Sequence, residues 1–123
     1  MNIERLTKLA DFIQTNSDPK FRFDTTVSLD TFGTAGCIAG TAVHLFGDTR
    51  GMRYHDMVEG YFWEDIQAQA RDLLGLPQDE PDLFDYLLAP APCTLKDAAE
   101  AIRRVMVGKE AWTTRSDDTP ART

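Results

Sequence analysis

The chain has 123 residues, of which 42% are hydrophobic and 27% are charged, and its formal net charge is −7 at pH 7. This length predicts one domain, and this composition is typical of a globular protein rather than a disordered one. No apolar run approaches the roughly 20 residues that span a bilayer, which argues against an integral membrane protein.

The first predicted element is an amphipathic helix over residues 2 to 15. Apolar residues recur there at three- and four-residue spacing, and Asn2 is a suitable N-cap. Residues 20 to 31 alternate apolar and polar side chains, which allows a short strand pair or an anchored loop. We expect the loop, because a hairpin with no further strand to pair with is marginally stable. The side chains expected to anchor it in the core are Phe21, Phe23 and Leu29.

The centre of the predicted fold is a helix over residues 35 to 46. Thr34 is the expected N-cap, and no residue of the helix carries a formal charge apart from a titratable histidine. A helix that is apolar all round is buried. Gly36 and Gly40 are four residues apart on one face, so we expect another helix to approach closely there.

Further helices follow, separated by glycine and proline. The clearest runs from Trp63 to Leu74, and the sequence Gly75-Leu76-Pro77 stops it. The last begins after Thr94, whose spacing to Asp97 resembles a capping box. Shorter helical segments are predicted over residues 56 to 62 and 83 to 88.

Together these elements predict a compact all-α domain of about five short helices, spanning residues 1 to 112. Residues 113 to 123 are polar and small, which predicts a disordered tail. The first residues lack the apolar core of a signal peptide, so we expect a cytoplasmic protein. Cys37 and Cys93 suffice by number for one disulfide, but the cytoplasm favours thiols.

Cys37 and a histidine are the candidates for a catalytic site. Cys37 lies in the first turn of the predicted helix, where the helix dipole and the unpaired amides favour the thiolate form of its side chain. His44 lies two turns later, about 10.5 Å along the axis, which excludes a direct hydrogen bond within one straight helix. A dyad would require His55 to fold over Cys37. The competing interpretation is a packed, unreactive cysteine.

The sequence contains no metal-binding pattern. Two cysteines and two histidines are present, but without CxxC or HxxxH spacing. Residues 48 to 59 fail as a calcium loop because Arg50 and Met52 stand where oxygen ligands are needed. Residues 33 to 36 precede a helix but lack the lysine of a phosphate-binding loop, so we expect a structural cap. We expect neither metal nor cofactor.

Acidic residues are concentrated in the second half of the chain. Residues 54 to 100 carry eleven acids and two bases, a net −9, whereas residues 1 to 53 balance and residues 101 to 123 carry +2. Such a segment repels nucleic acid and attracts a basic protein surface. A solubilising face is the competing interpretation. The residues expected to contact a basic partner are Glu64, Asp65, Asp79, Glu80, Asp82 and Asp85.

The sequence Gly33-Thr34-Ala35-Gly36-Cys37-Ile38-Ala39-Gly40 resembles a group of small uncharacterised proteins from bacteriophages, prophages and bacteria with a CGTxxCIAG-type core motif. The resemblance extends to Leu9-Ala10-Asp11-Phe12, Leu73-Leu74-Gly75-Leu76 and Leu83-Phe84, and spans residues 3 to 88. Members of the group often carry a cysteine where this chain has Phe32. The resemblance implies a small helical fold and a phage origin, and it implies no activity.

The sequence supports three hypotheses of function. The first is a non-enzymatic, phage-encoded accessory protein whose acidic surface engages a basic protein in the host cytoplasm. The second is a thiol-dependent or small-ligand enzyme that uses Cys37 with a histidine. The third is a homodimer whose seam contains the apolar central helix.

Overall fold

The computed structural model describes residues 1–16, 20–24, 28–29, 35–55, 60–77, 82–84, 89–90 and 93–112. Within these residues the α-helices are α1 (Ile3–Thr15), α2 (Ile38–Phe46), α3 (Trp63–Leu74) and α4 (Leu95–Met106), and a 3-10 helix covers Asp82–Phe84. The strands are β1 (Arg22–Phe23), β2 (Ala35–Gly36), β3 (Tyr54–His55) and β4 (Gly60–Tyr61). The described chain is therefore mostly helical but not purely all-α, and it has four α-helices rather than five.

The expected ends of the helices are confirmed where local capping residues define them. The side chain of Asn2 accepts a hydrogen bond from the Arg5 amide at 3.0 Å at the start of α1. Thr94 and Asp97 form the reciprocal capping box at the start of α4. Gly75 ends α3 with φ +67°, a left-handed conformation that glycine adopts without strain.

Two packed helix pairs build the core. α1 packs on α4, and α2 packs on α3 and more lightly on α1. Thr7 lies against Met106 and Asp11 against Arg103, so α1 and α4 run antiparallel. All residues of α2 from Ile38 to Val43 are buried, which confirms that this helix lies at the centre of the fold. No described helix combines the length and apolar character needed to cross a membrane.

The predicted start of the central helix at residue 35 is wrong. Ala35 and Gly36 form β2, which pairs in parallel with Arg22 and Phe23 of β1, and α2 begins only at Ile38. The Asp24 amide extends this pairing by donating to the Gly36 carbonyl at 2.9 Å. These ladder bonds use backbone groups that a helix would have needed. Thr34, the expected N-cap, lies outside the described residues, and Cys37 holds the N-cap position.

The expectation of a loop over residues 20 to 31 is corrected by the same pairing. β1 lies within it, and Leu29 forms an isolated bridge with Gly36. Phe21 and Leu29 are buried, as expected. Residues 25–27, 30 and 31 lie outside the described part.

The short helix predicted over residues 56 to 62 is also wrong where the structure describes it. Tyr54 pairs with Tyr61 and His55 with Gly60, so that β3 and β4 form an antiparallel pair. Aromatic side chains favour the half-buried surface of such a pair. Residues 56–59 lie outside the described part, as do residues 85–88 of the predicted helix over 83–88.

The glycines of the central stretch do permit a close approach, but the partner is not another helix. A Cβ atom built on Gly40 would lie 1.7 Å from the carbonyl oxygen of Ser28, and one built on Gly36 would lie 3.1 Å from the same oxygen. The backbone of residues 28–29, which we call the crossing segment, therefore lies directly on the first turn of α2.

We predict that Gly40→Ala destabilises the protein by about 1–3 kcal/mol, because the crossing segment must move away from the new methyl group. Urea unfolding measures the change. Gly36→Ala, with 3.1 Å to the same oxygen, should cost less. An exposed helical glycine would instead gain stability on this substitution, and such a gain at Gly40 would contradict the close approach.

Candidate functional site

Cys37 is covered by the crossing segment. It lies at the N-cap of α2 with 1% of its surface exposed, and its thiol donates to the Ser28 carbonyl over 3.7 Å. The Ser28 hydroxyl donates to the Tyr61 carbonyl, and the Tyr61 amide donates to the Leu29 carbonyl at 3.0 Å. These hydrogen bonds hold the crossing segment over the thiol, and this arrangement fits a packed thiol better than a nucleophile.

Of the two histidines, only His44 has a side chain that the structure describes, and it does not contact this thiol. His44 lies in the last turn of α2 and stacks on Phe21, with ring centroids 4.3 Å apart. This places it at the other end of the helix from Cys37, as the seven-residue spacing predicts. The His55 backbone belongs to β3, but its side chain lies outside the described part, so its pairing with Cys37 stays a prediction.

The other cysteine is a poor nucleophile for a different reason. Cys93 is half-buried, and desolvation, with a smaller contribution from the charge of Asp97, raises the pKa of its thiol to about 11. The thiol is therefore protonated at neutral pH. No disulfide joins it to Cys37. Among the described residues, no group of three or more His, Cys, Asp or Glu side chains could hold a metal ion.

Asp65, one of the acids expected to contact a partner, is bound within the chain. Its carboxylate accepts one hydrogen bond from the Arg53 amide, at 3.0 Å, and two from the Arg53 guanidinium, each at 3.1 Å. That guanidinium also lies over the Phe62 ring, 4.5 Å from its centroid. Hydrogen bonds from Arg53 lower the pKa of the Asp65 carboxyl. The pair fastens the chain before β3 to the first turn of α3.

Glu64 lies on the outer surface of α3. It is exposed, and so are Ala68 and Asp72 at the following four-residue steps. Arg71 points the other way: it is 5% exposed, donates to the Pro77 carbonyl at 3.0 Å and lies 5.2 Å from the Phe84 ring centroid. The exposed stripe of α3 therefore carries acidic charge only.

The remaining acids of the expected partner surface are not placed by the structure. Asp79, Glu80 and Asp85 lie outside the described residues. Asp82 begins the 3-10 helix, but its side chain is outside the described part. Of the six acids, Glu64 is thus placed on the surface and Asp65 in an internal ion pair.

Sequence reasoning missed a basic groove beside α4. Its lining includes Lys96, Arg103, Arg104 and Lys109. A signal was present, since residues 96, 100, 103 and 107 recur at three- and four-residue steps and so share one helical face. The net charge of +2 over residues 101 to 123 understates this positive charge, because Lys96 falls within the acidic residues 54 to 100.

Comparisons with protein-family models, with curated proteins and with solved structures found no match for this chain. The likeness to phage-related proteins with the glycine–cysteine motif stays a prediction.

We predict that Cys37 in the folded protein does not react with a disulfide reagent that labels thiols, and that it reacts once the protein unfolds. Cys93 should react slowly near pH 8, because with a pKa of about 11 only about one thiol in a thousand is ionised there. Mass spectrometry of time points assigns each label. Rapid labelling of Cys37 in the folded protein would favour the thiol-enzyme hypothesis instead.

We predict that the Arg53–Asp65 pair contributes stability that is lost in acid. The pKa of Asp65 is lowered on folding from an ordinary value of 3.8, so the contribution is complete above that value and disappears as the pH falls through the lower folded pKa. Urea unfolding should show a penalty for Asp65→Asn at about pH 7 that shrinks at about pH 2.

The control for this prediction is the same substitution in an Arg53→Gln background. The pH-dependent part of the penalty should be smaller there, because the guanidinium, which lowers the carboxyl pKa most, is gone while the backbone amide of residue 53 still donates. An equal penalty for Asp65→Asn in both backgrounds would contradict the role assigned to Arg53.

Proposed function

We propose that this chain is a non-enzymatic accessory protein, encoded by a phage, that binds a basic host protein through the acidic surface of residues 54 to 100. The observation that carries the proposal is the orientation of Arg71. It is the only Lys or Arg between residues 54 and 95, and its guanidinium is buried. This range of the sequence therefore supplies nine acids and no exposed cation.

The described part of this surface supports a binding role. Glu64 and Asp72 are exposed two turns apart on α3, which packs on the central α2. Charges of one sign on a rigid surface steer an oppositely charged partner and raise its association rate at low salt. The burial of Cys37 supports a non-enzymatic function over the thiol-enzyme alternative.

The proposed place of action is the cytoplasm of the host. Homodimerisation stays a prediction, and residues 38 to 43 of α2 do not supply its seam because they are buried within their own chain. A nucleic-acid partner is disfavoured by the same acidic surface.

We predict that Glu64→Gln/Asp72→Asn weakens partner binding several-fold, mainly through a slower association rate. Wild-type and variant proteins are immobilised, the bound protein is recovered from bacterial lysate and identified, and its association is then measured at several salt concentrations. Unfolding free energies should stay within about 0.5 kcal/mol of wild type, since both side chains are exposed.

The matched control is Glu4→Gln/Glu110→Gln, which removes two exposed acids outside the acidic surface and gives the same net charge. It should bind like wild type. Equal losses of binding in both variants would show that net charge alone, and not the acidic surface, governs the interaction. Recovery of a partner without a basic surface would overturn the proposal.

A further inference from the structure

The basic groove opposes the charge of the rest of the protein. It has a volume of about 370 Å³ and lies beside α4 and the end of α1. Lys96, Arg103, Arg104 and Lys109 line it, together with a single carboxylate, Glu100. These five side chains sum to +3, or to +2 when Asp11, the ion-pair partner of Arg103, is included, whereas the chain as a whole carries −7. The groove is therefore a local concentration of positive charge that composition alone does not reveal.

Hydrogen bonds position the two arginines. Arg103 donates to Asp11 at 3.0 Å and also to the side chain of Gln14. Arg104 donates through Nε to the Glu110 carbonyl at 2.8 Å, while the Lys109 amide donates to the Arg104 carbonyl at 2.9 Å. Because a guanidinium carries five N–H donors, both arginines retain donors for a ligand.

The helix dipole explains only part of this charge. Arg103 and Arg104 lie in the last turn of α4, where cations stabilise the negative end of a helix. Lys96 lies in the first turn, where a cation is unfavourable. Lys96 and Lys109 are both exposed and line the same groove from its two ends. A ligand that bridges them accounts for both.

We propose that this groove binds a small molecule that bears two or more phosphate groups. Its volume falls within the range of small-molecule sites. The Cα atoms of Lys96 and Arg103 are about 10.5 Å apart along the helix axis, a span that favours several anionic groups over one. Arg103 and Arg104 offer a phosphate the guanidinium N–H groups that their partners within the chain leave unused, and the lysines act as point charges on the others.

Two further side chains of the groove indicate what the part of the ligand without phosphate contains. Val107 is 69% exposed and offers an apolar contact to a carbon skeleton or ring. Glu100 repels phosphate but accepts a hydrogen bond from a hydroxyl or amino group. This combination fits a phosphorylated sugar or a nucleoside polyphosphate. The groove is separate from the exposed acidic stripe of α3, Glu64 and Asp72, so this proposal does not rest on the proposed protein partner.

Titration of the full chain with sodium tripolyphosphate tests the proposal, with heat and backbone amide shifts as the two readouts. We expect saturable binding that shifts amides of residues 96 to 109 and leaves α3 unchanged. Lys96→Gln/Lys109→Gln should raise the Kd about tenfold or more. Glu100→Gln should lower it, because a repulsive charge is removed.

The control is Lys8→Gln/Lys20→Gln, which removes two exposed lysines elsewhere and gives the same net charge. Its Kd should match that of wild type. Absence of saturable binding at millimolar tripolyphosphate overturns the proposal, and so does an equal weakening in both lysine variants. Tighter competitive binding of a single-stranded oligonucleotide would reassign the groove to nucleic acid and overturn it as well.

Discussion

The contact between the crossing segment and α2 joins the central helix to both strand pairs. The Ser28 carbonyl occupies space that any side chain at Gly40 would need. Leu29 then pairs with Gly36 of β2 and accepts from the Tyr61 amide of β4. β4 leads through one residue into α3, so the same contact links the central helix to the start of α3. The glycines thus serve close packing, which compensates for their low helix propensity.

Local signals in the sequence predicted three helices correctly. Asn2, Gly75 and the Thr94–Asp97 pair each act on backbone groups within a few residues, so their effect is visible in the sequence. The two-residue strands were missed for the opposite reason. β2 pairs with β1 from thirteen residues earlier, a distant pairing that no local pattern encodes. Their backbone bonds override the helical pattern over residues 35 to 37.

The candidate surfaces were predictable only as charge, not as geometry. The excess of acids over residues 54 to 100 is plain in the sequence, but the burial of Arg71 and the pairing of Asp65 with Arg53 depend on tertiary contacts. The basic groove likewise needs α1 beside α4 to form. The molecule carries an acidic stripe on α3 and a basic groove along α4. The two surfaces lie on different helix pairs, so each can be altered without the other.

Residues 28–29 lie on the glycine face of α2 and close the core over Cys37. Nuclear Overhauser contacts in solution test this most directly, because a Cβ on Gly40 would be 3.3 Å from that of Leu29. We expect strong cross-peaks from the α-protons of Gly40 to the protons of Ser28 and Leu29. Assigned resonances without those cross-peaks, in a protein whose α2 is helical, would contradict it.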